Sequence, residues 1–307
     1  MRQEILTKIQ AQIAEKLYPG ASLALFSNGQ WQEYYLGQAE EHMEIKPGLV
    51  YDLASVSKVV GVGTVLIWLI QEGKIALDEP FSIYYPAFHD QTVTIRQLVT
   101  HTSGIDPFIP NRDRLDAAGL KAAMHELTVT ADKSFKYTDV NLILLGFMVE
   151  SLFGKDLDQI LQEKIFEPWE MTETCFGPRQ QAVATVKGQR AGLVHDPKAK
   201  VLGVHCGSAG LFSTLSDLEL FLEHYLQDDF AENLTINISS SKPRSIVWNI
   251  DEEDWLDHTG YTGPFIMVNR KAQKAAIFLT NRTYHYDNRP LWIEKRRELR
   301  DVIKENL

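Results

Sequence analysis

The chain has 307 residues, 44% of them hydrophobic and 23% charged, a composition that suits a globular protein with a substantial core. Its 41 acidic residues outnumber 31 basic ones for a net charge of -10, which excludes a nucleic-acid surface built on a basic stripe. The two cysteines, Cys175 and Cys206, lack C-x-x-C spacing, so neither a disulfide framework nor a zinc knuckle is indicated.

In chain order, the opening "MRQEILTKIQAQIAEKLYPG" places Ile5, Ile9, Ile13 and Leu17 four apart, one face of an amphipathic helix. Polar residues interrupt it throughout, unlike a signal peptide. "ASLALF" and "QWQEYYL" flank "SNG", an Asn-Gly hairpin between two strands. The longest apolar run, 59–70, is shorter than the about 20 residues that span a bilayer. These readings give a protein without a membrane segment and, with Met1 as natural start, a cytoplasmic one.

The middle, from about 73 to 234, reads as helical patches: "TIRQLVTH", "GLKAAMHEL", "DVNLILLGFMVESLFG", "LDQILQEKIFEP" and "LSDLELFLEHYL". "SIVWNI", "PFIMVN" and "KAAIFLTN" read as three further strands, followed by a helix over about 290–305. Its basic stretch "EKRRELR" carries its own acids and reads as a solvated face. The expectation is an α/β (α+β) protein: an antiparallel sheet of about five strands, flanked by helices and built from 1–74 plus 240–307, with an all-helical region inserted over 75–239. No repeat of 20 to 50 residues and no low-complexity linker interrupts it.

"YDLASVSKVVGVGTVLIWLI", over 51–70, sets two serines and a lysine at the mouth of the apolar run. Three residues on a helix turn the chain by about 300°, so Ser55 and Lys58 share a face, and Ser57 points elsewhere. A buried helix start offers a serine backbone N–H groups, the positive end of the helix dipole, and a lysine whose pKa burial would depress toward a useful base. Alone, the tetrapeptide reads as a capping serine with a solvated lysine one turn on. About one S-x-x-K match arises by chance in a chain this long, and a second one spans Ser239 to Lys242 in a polar stretch.

Two distant stretches change the weighting. "FKYTDVNLILLG" puts Tyr137 directly before Thr138, Asp139 and a helix, and "LDHTGYTGP" gives His258, Thr259 and Gly260 in a turn before a strand. Ser-x-x-Lys, Tyr-x-Asp and His-Thr-Gly, in this order, resemble the three motifs of the serine β-lactamase and penicillin-binding protein superfamily, in its class C β-lactamase-like branch. "LIQEGKIALDEPFSIYYPAF", "TIRQLVTHTSGI", "GLVHDPKAKVLG", "GSAGLFSTLSDLELF" and "AAIFLTNR" are similar to further family segments, so the resemblance covers nearly the whole chain. It implies an antiparallel sheet with helices on both sides and an all-helical region, the active site lying between them. It also implies Ser55 as acylated nucleophile, Lys58 and Tyr137 as the proton-shuttling pair, and the backbone N–H groups of Ser55 and Tyr261 as oxyanion hole. Which of Lys58 and Tyr137 is the resting base stays open. Asp139, Asn141, His258, Thr259 and Gly260 fall at substrate-binding positions.

Two positions depart from the usual pattern. Asp139 stands where class C enzymes carry asparagine, and an ionised carboxylate accepts hydrogen bonds but donates none. Asn141 is the candidate to supply that donor. His258 stands where β-lactamases carry lysine, replacing a permanent cation by a group largely neutral at pH 7 unless a pairing with Asp139 charges it. Weaker capture of a substrate carboxylate follows, and His258→Lys is expected to restore it.

The resulting expectation is a serine hydrolase, esterase-like or D-amino-acid-peptidase-like, that acts on a small ester or specialised amide and poorly on β-lactams. Its rivals are a catalytically silent relative that binds a ligand or partner, and a genuine β-lactamase or D-Ala-D-Ala carboxypeptidase. The expected partner is a small acyl substrate, with no cofactor and no metal. "HTSGI" and "VHD" invite a Ser-His-Asp triad, but no G-x-S-x-G elbow occurs. His195, Asp196, His205 and Cys206 lack the clustered spacing of metal ligands.

Overall fold

The computed structural model describes residues 2–307. Helix α1 (Arg2–Ala14) leads into strands β1 (Gly20–Ser27) and β2 (Gln30–Glu40), joined by Asn28 and Gly29. Both turn residues take positive φ, 54° and 75°, as a type I′ turn requires, and Ser27 pairs with Gln30 across it. Leu17 buries its side chain beyond the helix, because the helix ends at Ala14 and Lys16 takes a φ of 60°.

Strands β3 (Met43–Glu44) and β4 (Tyr51–Asp52) follow, then β5 (Cys175–Phe176), β6 (Leu211–Ser213), β7 (Asn249–Ile250), β8 (Leu256–Thr259), β9 (Phe265–Asn269) and β10 (Lys274–Leu279). Seven of these form one antiparallel sheet in the order β3-β2-β1-β10-β9-β8-β7, so the two ends of the chain meet along the β1–β10 pairing. The remaining three form a small sheet in the order β4-β6-β5.

The antiparallel sheet agrees with expectation, and two details refine it. "LDHT" pairs with both β7 and β9, so His258 and Thr259 stand on a strand and not in a turn. Of "SIVWNI" only its last two residues are strand, because Val247 takes a φ of 69°.

Strand β1 is buried on both faces, and its alternation sorts the core. Leu23 and Leu25 pack with Ile5 and Ile9 of α1 and with Trp292, Leu299 and Ile303 of the C-terminal helix. Ala24 and Phe26 turn to the opposite face, into the larger core shared with the central helices. Those helices are α2 (Thr64–Gln71), α3 (Phe81–Tyr84), α4 (Ile95–Val99), α5 (Ala117–His125), α6 (Asp139–Phe153), α7 (Leu157–Leu161), α8 (Pro197–Leu202) and α9 (Leu215–Gln227). The C-terminal helix is α10 (Arg289–Asn306).

Residues 140–149 of α6 are all buried, which gives it no polar face and makes it the axis of the helical layer. The segment Ala54–Gln71 is continuous enough to be long and apolar enough for a membrane, longer than the apolar run suggests. It is 78% buried inside the fold, which is the burial of a core helix.

Candidate active site

Strand β4 delivers the chain to Ser55. Leu53 N–H donates to Leu211 O of the small sheet at 3.0 Å. The Asp52 carboxylate then accepts from Ala54 N–H and from His195 N–H, both at 2.8 Å. These bonds hold Ala54 at a φ of 46°, a left-handed conformation that costs an alanine about 1 to 2 kcal/mol. Burial pushes the Asp52 pKa up to about 6, opposed by the two N–H donors. The strained turn opens a short 3₁₀ segment (Ala54–Val56) and leaves Ser55 half-buried at the cleft surface.

Lys58 lies under Ser55 with no exposed side-chain surface. Its ammonium donates to Ser55 Oγ at 2.8 Å, Asp139 Oδ1 at 2.7 Å and Ser208 O at 2.9 Å. All three protons therefore have acceptors. Burial works to lower the Lys58 pKa, but Asp139 and Tyr137 outweigh it and hold it above the usual lysine range. This reverses the expectation of a lysine depressed by burial, because the buried cation has a buried anion beside it.

Asp139 starts α6 after Thr138, whose side chain caps the helix at Val140 N–H. Its second oxygen, Oδ2, takes Lys198 Nζ at 3.0 Å, and Lys198 also lies 3.5 Å from Asp196. Burial would raise the Asp139 pKa, but the two lysines prevail and hold it well below the ordinary aspartate range. Asp139 thus faces inward as a counter-ion for two lysines, and the suggested pairing with His258 does not form.

The Tyr137 ring lies over the Lys58 ammonium, 5.1 Å from Nζ to centroid, and remains 40% exposed on the cleft side. Behind it stands His101, with ring centroids 4.5 Å apart. His101 Nδ1 accepts from Asn141 Nδ2 at 3.1 Å and from Thr138 N–H at 3.4 Å. Asn141 Oδ1 accepts from Ser103 at 2.8 Å. Asn141 is fully buried and spends its amide tying His101 to α6, so it does not supply the donor that Asp139 lacks.

His258 on β8 is 2% exposed, and neither ring nitrogen has a hydrogen-bond partner among the described residues. Burial, followed by the charges of Lys58 and Arg244, drives its pKa well below the usual histidine value, so the third motif carries a neutral group. Gly260 is required sterically: a Cβ would stand 2.7 Å from Leu53 O and 2.7 Å from Pro264 Cγ. That close approach brings Tyr261 beside the Ser55 turn. Arg244, buried between β7 and Phe135, bonds Asn249 Oδ1 at 2.5 Å and Val247 O at 2.8 Å.

Ser55, Tyr137, Asp139, His258, Thr259, Gly260 and Tyr261 line one cleft of about 1500 Å³, between the sheet, the helical layer and α10. A hollow of about 660 Å³ beside Tyr225 and Arg270 contains none of them. The second S-x-x-K stretch forms no helix, and Ser241 Oγ accepts from Phe135 N–H.

The four residues weighed as metal ligands are engaged separately. His195 Nδ1 meets Thr185, Asp196 caps α8, His205 meets Glu150 at 2.5 Å and Cys206 meets Ser208. Asp52, His101, Lys198, Ser208 and Arg244 escaped sequence reasoning. His101, Lys198 and Ser208 lay inside segments that carried the resemblance, "TIRQLVTHTSGI", "GLVHDPKAKVLG" and "GSAGLFSTLSDLELF", and Asp52 inside the stretch that holds Ser55, without being given these roles.

Comparison with known proteins agrees with this fold. The chain is 25% identical to "Putative D-alanyl-D-alanine carboxypeptidase" from Escherichia coli (strain K12), over 80% of this chain and 72% of that protein. Its fold is similar to that of "EstCE1, a hydrolase with promiscuous acyltransferase activity", with a TM-score of 0.78 at 16% identity over 98% of both chains. It is also similar to a class C beta lactamase from Rhodobacter sphaeroides, with a TM-score of 0.76 at 17% identity over 98% of both chains. The Beta-lactamase family model matches residues 6–300, and with the serine, lysine and tyrosine of the first two motifs gathered at one cleft, the chain belongs to the β-lactamase family of serine hydrolases.

Proposed function

We propose that the protein hydrolyses small or activated esters, or a specialised amide, through an acyl-enzyme on Ser55, and turns over penicillins and cephalosporins poorly. The observation that carries the mechanism is the 2.8 Å bond from a buried, charge-paired Lys58 to Ser55 Oγ at the open cleft. Lys58 holds and polarises the serine, but as an ammonium beside Asp139 it has no lone pair with which to accept the serine proton.

Tyr137 is then the relay. In one concerted relay its oxygen takes the proton of Ser55 while its own proton passes to the leaving oxygen or nitrogen, so that Oγ bonds the carbonyl carbon, the leaving bond breaks and the phenol never carries two protons. Negative charge on the tetrahedral oxygen is met by the N–H groups of Ser55 and Tyr261, worth about 3 to 4 kcal/mol each. Water repeats the sequence on the acyl-enzyme and regenerates Ser55.

The substrate preference rests on what the second and third motifs offer. Asp139 has both oxygens occupied by lysines, and His258 is neutral, so neither provides a cation for the carboxylate of a β-lactam or peptide C-terminus. The test compares kcat/KM for nitrophenyl acetate and butyrate with a penicillin and a cephalosporin, alongside mass spectrometry of the acylated protein. Faster ester turnover and an adduct on Ser55, absent in Ser55→Ala, are expected. Faster penicillin turnover defeats the substrate reading, and an unlabelled Ser55 defeats the mechanism.

A further inference from the structure

Asp52, the last residue of β4, is 3% exposed and touches the chain on both sides of the proposed oxyanion hole. On the nucleophile side, its Oδ1 holds the N–H of Ala54, the residue before Ser55, at 2.8 Å. On the other side, its backbone carbonyl accepts from Oγ1 of Thr262, the residue after Tyr261, at 3.1 Å. Its remaining oxygen, Oδ2, holds His195 N–H at 2.8 Å, and the His195 ring stacks on the Tyr261 ring, with centroids 5.5 Å apart and planes inclined by 27°. His195 Nδ1 lies 3.2 Å from Thr185 Oγ1, and Thr185 O accepts from Thr283 Oγ1 at 2.8 Å, which ties this ring to the segment after β10.

Two N–H groups from distant segments thus converge on one buried side chain, one on each oxygen. A carboxylate satisfies both, whereas an amide of the same shape offers one oxygen and turns its NH2 group against the other N–H. Ala54 has little else to hold it: at a φ of 46° it lies outside the regions an alanine prefers, so without its acceptor it relaxes and carries the N–H of Ser55 with it. Burial is the largest influence on the Asp52 pKa and pushes it up to about 6, against the N–H groups of His195 and Ala54. Of the charges packed around it, Asp196 raises that value and Lys200 of α8 lowers it. The His195 ring, its own pKa lowered by burial and by Lys200, is neutral at pH 7.

We propose that ionised Asp52 is a positioning residue that sets the spacing and aim of the two oxyanion donors, the N–H groups of Ser55 and Tyr261, and through them governs kcat. It touches neither substrate nor reacting atoms and acts through Ala54, Thr262 and His195. This role rests on the acyl-enzyme reading. Oxyanion donors act only when aimed at the developing charge, and a misplacement of about 1 Å can cost about 100-fold in rate. Acylation and deacylation both pass through an oxyanion, so the loss falls on kcat whichever step is slower. Acid has the same effect: as pH falls through about 6, Asp52 takes a proton, one of its oxygens becomes a poorer acceptor, and kcat declines. Because the native pKa lies above the ordinary aspartate value, the fold gains stability from Asp52 over that same fall in pH. Unfolding would move rate and stability together; loss of positioning moves them apart.

The test is steady-state hydrolysis of nitrophenyl butyrate between pH 5 and 8 by the full-length wild type, Asp52→Asn and Thr262→Val, with Tm measured at each pH. Thr262→Val deletes the hydroxyl bonded to Asp52 O and keeps the side-chain shape. The control is Asp217→Asn, another buried carboxylate that accepts a backbone N–H, from Glu173 at 2.9 Å, away from the cleft. At pH 7.5, Asp52→Asn should lower kcat about 100-fold and Thr262→Val about tenfold, with KM changed less than about threefold, and Asp217→Asn should leave both constants unchanged. The wild type should lose kcat as pH falls through about 6, and Asp52→Asn should lack that limb. An unchanged kcat in folded Asp52→Asn, parallel pH profiles of the two proteins, or an equal loss in Asp217→Asn would overturn the proposal. If Asp52→Asn does not fold, an unchanged kcat in Thr262→Val overturns it. Mass spectrometry of the wild type after ester exposure separates the two levels: an unlabelled Ser55 removes the acyl-enzyme reading and this role with it, whereas a labelled Ser55 with unchanged variant kcat removes this role alone.

Discussion

Replacing Asp139 by asparagine removes the charge that holds Lys58 as an ammonium. In the wild type, Lys58 has no exposed side-chain surface and Asp139 retains 23% of its own. Breaking a fully buried ion pair from one side costs about 3 to 5 kcal/mol. Screening through that residual exposure brings the expectation to about 2 to 3 kcal/mol, or roughly 4 to 8 °C in Tm for a chain of this size. The pH dependence is the sharper readout. The native Asp139 pKa lies below its unfolded value, so its contribution is fully present above the ordinary aspartate range and is lost as pH falls through the native value. The native Lys58 pKa lies above its unfolded value, so its contribution persists until strongly alkaline pH. Wild-type stability should therefore carry no slope from this pair between about pH 6 and 9. In Asp139→Asn, burial dominates and depresses Lys58, as buried lysines elsewhere fall to about 5 to 6. The folded variant then sheds a proton that the unfolded chain keeps, and its stability rises with pH across that window. Thermal unfolding of both proteins at pH 6, 7.5 and 9 measures this; a Tm within 1 °C of wild type by that scale, or parallel pH curves, would refute the ion-pair reasoning.

Two further substitutions probe the third motif. His258→Lys places a cation among Lys58, Arg244 and Arg296, so in place of the improved β-lactam capture expected from sequence it should cost about 3 to 5 kcal/mol, read as a lower denaturation midpoint with no gain in penicillin acylation. Gly260→Ala drives a Cβ to 2.7 Å from the Leu53 carbonyl, two residues before Ser55, and displacing the Tyr261 N–H by about 1 Å should lower kcat about 100-fold with KM less affected, as steady-state ester kinetics would show.

The features legible in sequence were those governed by short-range rules. The Asn28-Gly29 turn fixed the β1–β2 register, and the short continuous apolar runs in "KAAIFL" and "FIMVN" marked β10 and β9. "LDHT" was passed over because a four-residue strand with two polar residues has no periodicity to detect, and only its pairing with β7 and β9 makes it a strand. The small sheet was invisible for the same reason, its strands being two or three residues long. Within the site, Ser55, Lys58 and Tyr137 were singled out by the resemblance of their motifs to the family's, and the fold brings them together. The groups that position them were not: Asp52, His101 and Lys198 act through backbone amides, ring stacking and a shared carboxylate, contacts between distant segments.

Asp139 shows how residue type alone hides the partners of a side chain. Read as an asparagine replacement, it looked like a weakened substrate contact; in the fold it joins Lys58 to Lys198 of α8, and Lys198 reaches Asp196. Two ammonium groups and two carboxylates close a chain with no net charge beneath Ser55. His258, beside it, is neutral as well. The Ser55 end of the cleft is therefore electrically balanced before substrate arrives, and guanidinium groups without a carboxylate partner among the described residues stand elsewhere on its lining, Arg244, Arg289 and Arg296. Coulomb attraction acts over several ångströms in a poorly hydrated cleft, whereas proton relay acts only at contact. A substitution in the Lys58–Asp139–Lys198 chain should then alter how fast Ser55 reacts with any acyl substrate, and leave which of them are captured largely unchanged.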